Sequence, residues 1–183
     1  MPRVSSVNWG ELAMIEMKER GWEAPDREAE YEAWKHDAIK FIDENNLVGG
    51  PLHPKQKTII RELVEYEPNQ LLIEKPRPAI NDAVVSKTRQ VGMSWLLMSI
   101  ECWLIIFWGP VRILNAHQRF EEVDDGGSKS TIKSLHGRIR DMYDAKIPSW
   151  LRHRSKLFFK EGSITNEEGG FISGATATPN VGR

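Results

Sequence analysis

Cysteine is almost absent: Cys102 is the one example in 183 residues. A lone cysteine excludes an internal disulfide framework and fits a reducing compartment, and no Cys/His cluster has zinc-site spacing. Charge of one sign is also missing. With 25 Lys and Arg against 26 Asp and Glu, the net charge is −1, so attraction to nucleic acid or an anionic membrane must come from local patches. The N-terminus, MPRVSSVNWGEL, has no apolar core followed by a cleavage site, and secretion is not expected. Nor is there a long apolar run. The most apolar stretch, WLLMSIECWLIIFW at 95–108, falls short of the ~18 to 20 residues that a spanning helix needs, and it contains Glu101. It is expected as a helix buried between the layers of an α/β core, with no membrane partner.

What is present is ordinary globular composition, 40% hydrophobic and 28% charged. It excludes disorder, collagen and low-complexity architectures and allows a domain with a sizeable core. Asp26 can cap a helix in which Tyr31, Trp34, Ala38 and Phe41 recur at three- and four-residue steps. NNLVGGPLHP breaks that pattern at about 45–53, and Pro54 opens a helix whose Ile59, Ile60, Leu63 and Val64 form a buried face. After the proline-broken stretch EPNQLLIEKPRPAIND, DAVVSK predicts a short strand at 83–86. Gly109 and Pro110 turn the chain after the apolar helix, and VRILNAH predicts a second strand. A helix is expected from about Ser128 to Tyr143, with Ile132, Leu135, Ile139 and Met142 along one stripe. KLFFKEGSITNEEGGFISGA reads as two or three short strands joined by a turn at EEGG. Strand, helix, strand with helices on either side is the pattern of a parallel sheet in an α/β fold. No internal repeat is visible.

The chemistry concentrates in VVSKTRQVGMSW, 84–95. A phosphate-binding loop needs a strand feeding a tight turn, free backbone N–H groups, a helix N-terminus behind them, a cation and a hydroxyl for Mg²⁺. The ordinary pattern, G-x-x-x-x-G-K-[ST], puts Lys directly before the hydroxyl residue. Here Met93 holds that slot and Lys87, at the loop's entry, is the loop's only lysine. Gly92 permits close backbone approach, Ser94 supplies the hydroxyl, and Arg89 is a second cation. The competing explanation is a strand, polar loop and helix that carry a Gly and a Ser for structural reasons alone.

SKTRQVGMSW resembles the deviant Walker A motif of the large terminase subunits of tailed bacteriophages. LHPKQKTII resembles that family's upstream adenine-recognition segment, with Gln56 at its glutamine. VRILNAHQRFEEVDDGG followed by LHGRIRDMYDAKIPSWL resembles its second strand and next helix, with Ile147 where the family has leucine. GGFISGATATPNVGR resembles the stretch before its Walker B strand. The resemblance runs over about residues 40–183.

That resemblance implies an α/β fold of the P-loop NTPase, additional-strand type: a mainly parallel sheet flanked by helices over 51–183, behind a helical extension at 1–50. It implies ATP and Mg²⁺ as ligands. Lys87 would contact the β- and γ-phosphates, the backbone through Arg89, Gln90, Val91 and Gly92 would cradle them, and Thr88 and Met93 would complete the loop. Ser94 would hold Mg²⁺, Gln56 would read the adenine, and Arg89 would be a second phosphate- or charge-sensing group. Hydrolysis also needs an apolar strand ending in Asp-Glu. None is found: Asp124–Asp125 and Glu167–Glu168 each precede two glycines and are expected as turns. The implied protein is the front part of a DNA-packaging ATPase, truncated before the Walker B strand and inactive in hydrolysis by itself. The full-length family protein works with double-stranded DNA, the phage portal and the small terminase subunit, as a homo-oligomeric ring in the cytoplasm of the bacterial host.

Lys129, Lys133, His136 and Arg140, spaced by four, three and four, would form a basic stripe on the 128–143 helix able to touch duplex phosphates. The alternative is a solvated helix face, which nearby Glu121, Glu122, Asp124, Asp125 and Asp141 favour. Trp95, Trp103 and Trp108 are expected in the core. Two other functions share these features: a non-catalytic prophage remnant or nucleotide-binding interaction module, and a helicase-like P-loop ATPase.

Overall fold

The computed structural model describes residues 26–65, 79–80, 92–126 and 134–177. The chain divides into two compact units, Met1–Glu32 and Ala33–Arg183. Helix α1 (Arg27–Lys35) opens behind Asp26, whose Oδ1 accepts the N–H groups of Glu28 and Ala29.

In the second unit the amphipathic pattern expected through Phe41 is interrupted at His36–Asp37. Asp37 takes an extended conformation and its carboxylate caps the N–H of Lys40, starting a new helix, α2 (Ala38–Glu44). Trp34, Ala38 and Phe41 are buried as their spacing predicts. Trp34 stacks on Trp150 with ring centroids 5.7 Å apart, and its carbonyl accepts the indole N–H of Trp103 at 2.8 Å. Phe41 meets Phe107 edge-on at 5.2 Å. The 45–53 connection is pinned by Asp43, which accepts the N–H of Leu52 and the ammonium of Lys57. Helix α3 (Pro54–Leu63) follows with Pro54 in its first turn. Val64 leaves that helix and pairs instead as β1 (Val64–Glu65), antiparallel to β2 (Ala79–Ile80).

The apolar run forms α4 (Met93–Phe107), with eleven of its fifteen residues buried. A helix covered on nearly every side has no solvent stripe, as its composition requires. The chain continues through β3 (Arg112–His117), α5 (Phe120–Val123), α6 (Leu135–Asp141), a π-helical turn at Met142–Lys146, α7 (Ser149–Arg154), β4 (Leu157–Lys160), β5 (Ser163–Asn166) and β6 (Phe171–Thr176). The last four strands give one sheet in the order β3-β6-β5-β4. β3 and β6 run parallel from Arg112↔Phe171 to His117↔Thr176, while β5 is antiparallel to both β4 and β6.

The fold is therefore α/β with a four-stranded mixed sheet flanked by helices, rather than a mainly parallel one among the described residues. The cause is connection length. The short turns at 161–162 and at EEGG can join only antiparallel neighbours, whereas the parallel β3–β6 pair has its long crossover. The helix expected from Ser128 is also different. Ser134 is extended and its Oγ accepts the N–H of Gly137, so α6 begins at Leu135.

On the sheet's inner face Ile113, Ile172, Ile164 and Phe159 stand in one cross-strand row, and Ile172 and Ile164 are fully buried. Asn166 ties this face to α4 by donating to the carbonyls of Ile105 and Gly109. The opposite face carries Arg112, Leu114, Phe171, Phe158 and Lys160, and none of its strand positions is buried.

Candidate functional site

Helix α4 starts from Gly92, which sits at φ +69, a left-handed conformation that L side chains rarely adopt. The first intrahelical bond at this end is Leu96 N–H to the Gly92 carbonyl, and among the described residues no side chain caps the turn. The first-turn N–H groups and the positive end of the helix dipole lie at Gly92. Met93 is 6% exposed, so the position that holds lysine in the ordinary loop is packed as an apolar core residue. Ser94 is half-buried in the same turn.

Gln56 comes to this point from α3. Its side-chain oxygen accepts the N–H of His53 at 2.9 Å, closing a capping box in which the His53 ring accepts in return from the α3 backbone. Its amide nitrogen lies 3.4 Å from where a Cβ on Gly92 would stand. The fold thus brings together Gln56, Gly92, Met93 and Ser94 from two segments distant in sequence. Lys87, Thr88, Arg89, Gln90 and Val91 lie outside the described residues.

Trp95, one residue further on, is half-buried between two cations. The Arg138 guanidinium stands 5.8 Å and the Lys146 ammonium 5.2 Å from its ring centroid. Lys146 also donates to the carbonyls of Asn46 and Leu47, which locks the π-helical turn to the connection before α3. Trp103 and Trp108 are buried as expected.

One member of the expected basic stripe is unavailable: His136 is fully buried, so it offers nothing to DNA, and its helix begins only at Leu135. The reason is tertiary: the ring of His136 packs inward beside Gly174 on β6, 3.4 Å from where a Cβ would stand, with Val123 closer still at 2.7 Å. Arg140 is half-buried, with its guanidinium 5.2 Å from the Phe159 ring. Lys129 and Lys133 lie outside the described residues.

Two polar pairs, one fully and one partly buried, carry no signal in the local sequence. Asp124 Oδ2 lies 3.5 Å from His136 Nδ1 with both side chains inaccessible, an electrostatic contact in which neither ring nitrogen meets hydrogen-bond geometry. The same carboxylate accepts the N–H groups of Gly126 and Gly162, so the Asp-Asp-Gly segment is a turn, but one anchored in the core. Burial lowers the pKa of His136, and the Asp124 charge only partly offsets this. On α4, burial pushes Glu101 up to about 7 although Asn115 donates to it at 2.8 Å. Burial, with the neighbouring Glu101 charge, pushes Cys102 up to about 12, so this thiol is inert.

Among the described residues no three His, Cys, Asp or Glu side chains group to hold a metal, and no helix is long and apolar enough to cross a membrane. Comparison with family models, curated proteins and solved structures gives no match for this chain.

Proposed function

We propose that this chain is the front, nucleotide-binding portion of a phage large terminase subunit. In the full-length protein it would bind ATP and Mg²⁺ to power movement of double-stranded DNA into the capsid. The observation that carries the reading is the meeting of Gln56 with Gly92. The segment resembling the adenine reader and the end of the segment resembling the phosphate loop occupy one corner of the fold, at the N-terminus of a buried helix. A single nucleotide that touched both, with its phosphates at the helix N-terminus, would need this juxtaposition. The residues fit the ligand: a left-handed glycine for backbone approach, a half-buried Ser94 for Mg²⁺, and a buried Met93 that leaves the phosphate-facing cation to Lys87, with Arg89 as the second. Bound Mg²⁺ would neutralise charge on the β- and γ-phosphates. Partners of the complete protein, on this reading, are duplex DNA, the portal and the small terminase subunit. Buried His136 is not part of its DNA contact.

The test is competition between ATP and GTP for the purified chain in the presence of Mg²⁺, followed by fluorescence of a labelled ATP analogue. ATP should be preferred, and Gln56→Glu, which can keep the cap at this helix position, should reduce the preference about tenfold. Failure to bind either nucleotide, or an ATP/GTP ratio indifferent to Gln56→Glu, would contradict the proposal.

A further inference from the structure

The face of the sheet turned away from α4 presents Phe158 on β4 and Phe171 on β6, 47% and 40% exposed. Both belong to one cross-strand row, Arg112↔Phe171↔Thr165↔Phe158. One strand separates the rings, so they stand roughly 10 Å apart at the usual interstrand spacing. Lys160 lies on the same face of β4, two residues beyond Phe158, and Arg112 is the direct neighbour of Phe171. Among the described residues no acidic residue occupies a strand position on this face. Glu161, Glu167 and Glu168 are confined to the turns, and Lys156 lies 3.6 Å from Glu167.

A molecule of net charge −1 thus shows a locally cationic surface with two exposed rings. The core of a protein–protein interface is depleted in Lys and continuous in apolar area. Here hydroxyl and charged side chains interrupt the apolar ones: Thr165 lies between the rings, Ser163 and Ser173 lie between Lys160 and Leu114, and only Leu114, 53% exposed, adjoins a ring diagonally. Duplex DNA offers the rings little, because its bases are already stacked. Unpaired bases stack on exposed aromatic rings while nearby cations track the phosphates. We infer that this face binds single-stranded nucleic acid, with Phe158 and Phe171 stacking on bases and Arg112 and Lys160 meeting the backbone. The inference does not depend on nucleotide binding at α4.

The experiment is fluorescence anisotropy of labelled oligo(dT) and oligo(U), each about 12 nucleotides, on the whole chain without ATP. Saturable binding that weakens with salt, and that unlabelled single strands but not a duplex compete away, is expected. The two oligomers separate DNA from RNA as the ligand. The double variant Phe158→Ala/Phe171→Ala should bind at least about tenfold more weakly, with unchanged circular dichroism because both rings are exposed. Phe158→Tyr/Phe171→Tyr should retain binding. Arg112→Gln/Lys160→Gln should flatten the salt dependence. Absence of saturable binding, equal competition by duplex, or indifference to loss of both rings would overturn the inference. So would sedimentation showing that the rings instead hold two copies of this chain together.

Discussion

Asp124 and His136 face each other at 3.5 Å, both fully withdrawn from solvent, and join the segment after α5 to α6 above the glycine of β6. The pair has a pH signature. Burial holds the His136 pKa below its unfolded value, so the unfolded chain takes up more protons once pH falls below about 6.5. Stability is fully present above that pH and is lost as pH falls toward the lowered folded value. Melting temperatures from pH 8 to pH 5 should decline more steeply for the parent than for His136→Asn. Identical slopes would show that the ring is not the titrating group.

Glu101 works in the opposite direction. Its folded pKa of about 7 lies above the unfolded value of 4.5, so this group costs stability progressively as pH rises between them. Glu101→Gln keeps an acceptor for Asn115 and removes the buried charge. At pH 8 it should stabilise the fold by on the order of 1–3 kcal/mol, and at pH 4 by little. A variant less stable than the parent at pH 8 would contradict this assignment.

At Gly92 the expected effect is conformational. A positive φ of 69° disfavours any Cβ, so Gly92→Ala should cost about 1–2 kcal/mol, Gly92→Asn less, and Gly92→Val more. The ranking is read from denaturant midpoints. Equal stability of Ala and Val variants would mean that α4 can start without the left-handed turn.

The hydroxyl of Tyr143 accepts the N–H of Leu157 at 3.1 Å and lies 3.1 and 3.0 Å from the carbonyls of Arg152 and Ser155. It thereby ties the π-helical turn to the start of β4. Tyr143→Phe leaves a buried N–H without its partner and should cost about 1–3 kcal/mol. Hydrogen exchange at Leu157 should accelerate more than at Ile172. Unchanged exchange at Leu157 would place its protection elsewhere.

What was legible in the sequence was what local pattern encodes. The apolar run at 95–108 could only be a buried helix, and LFFK, SITN and FISGAT around their glycine turns could only be short strands. The misreadings came from contacts distant in sequence or from single caps. The stripe through His136 has helical spacing, but a cap at Ser134 starts the helix late, and the ring packs inward beside Gly174 of β6. Nothing near residue 136 signals that glycine. Asp124 is in the turn that its glycines predict, but its burial and its bond to Gly162 depend on the β4–β5 hairpin packing beside it. Gln56 and Gly92 could be named singly from their motifs, while their contact is a property of how α3 meets α4.

Calorimetric titration of MgATP decides whether nucleotide is held through Lys87, with Met93 in the usual lysine position. Four chains are compared: the parent, Lys87→Ala, Met93→Lys, and the two combined. The parent should bind without steady turnover, and Lys87→Ala should bind at least about tenfold more weakly. Met93→Lys should bind as the parent does, and the combination should recover part of the loss. Parent-level affinity in Lys87→Ala, or sustained ATP hydrolysis by the parent chain, would contradict this reading.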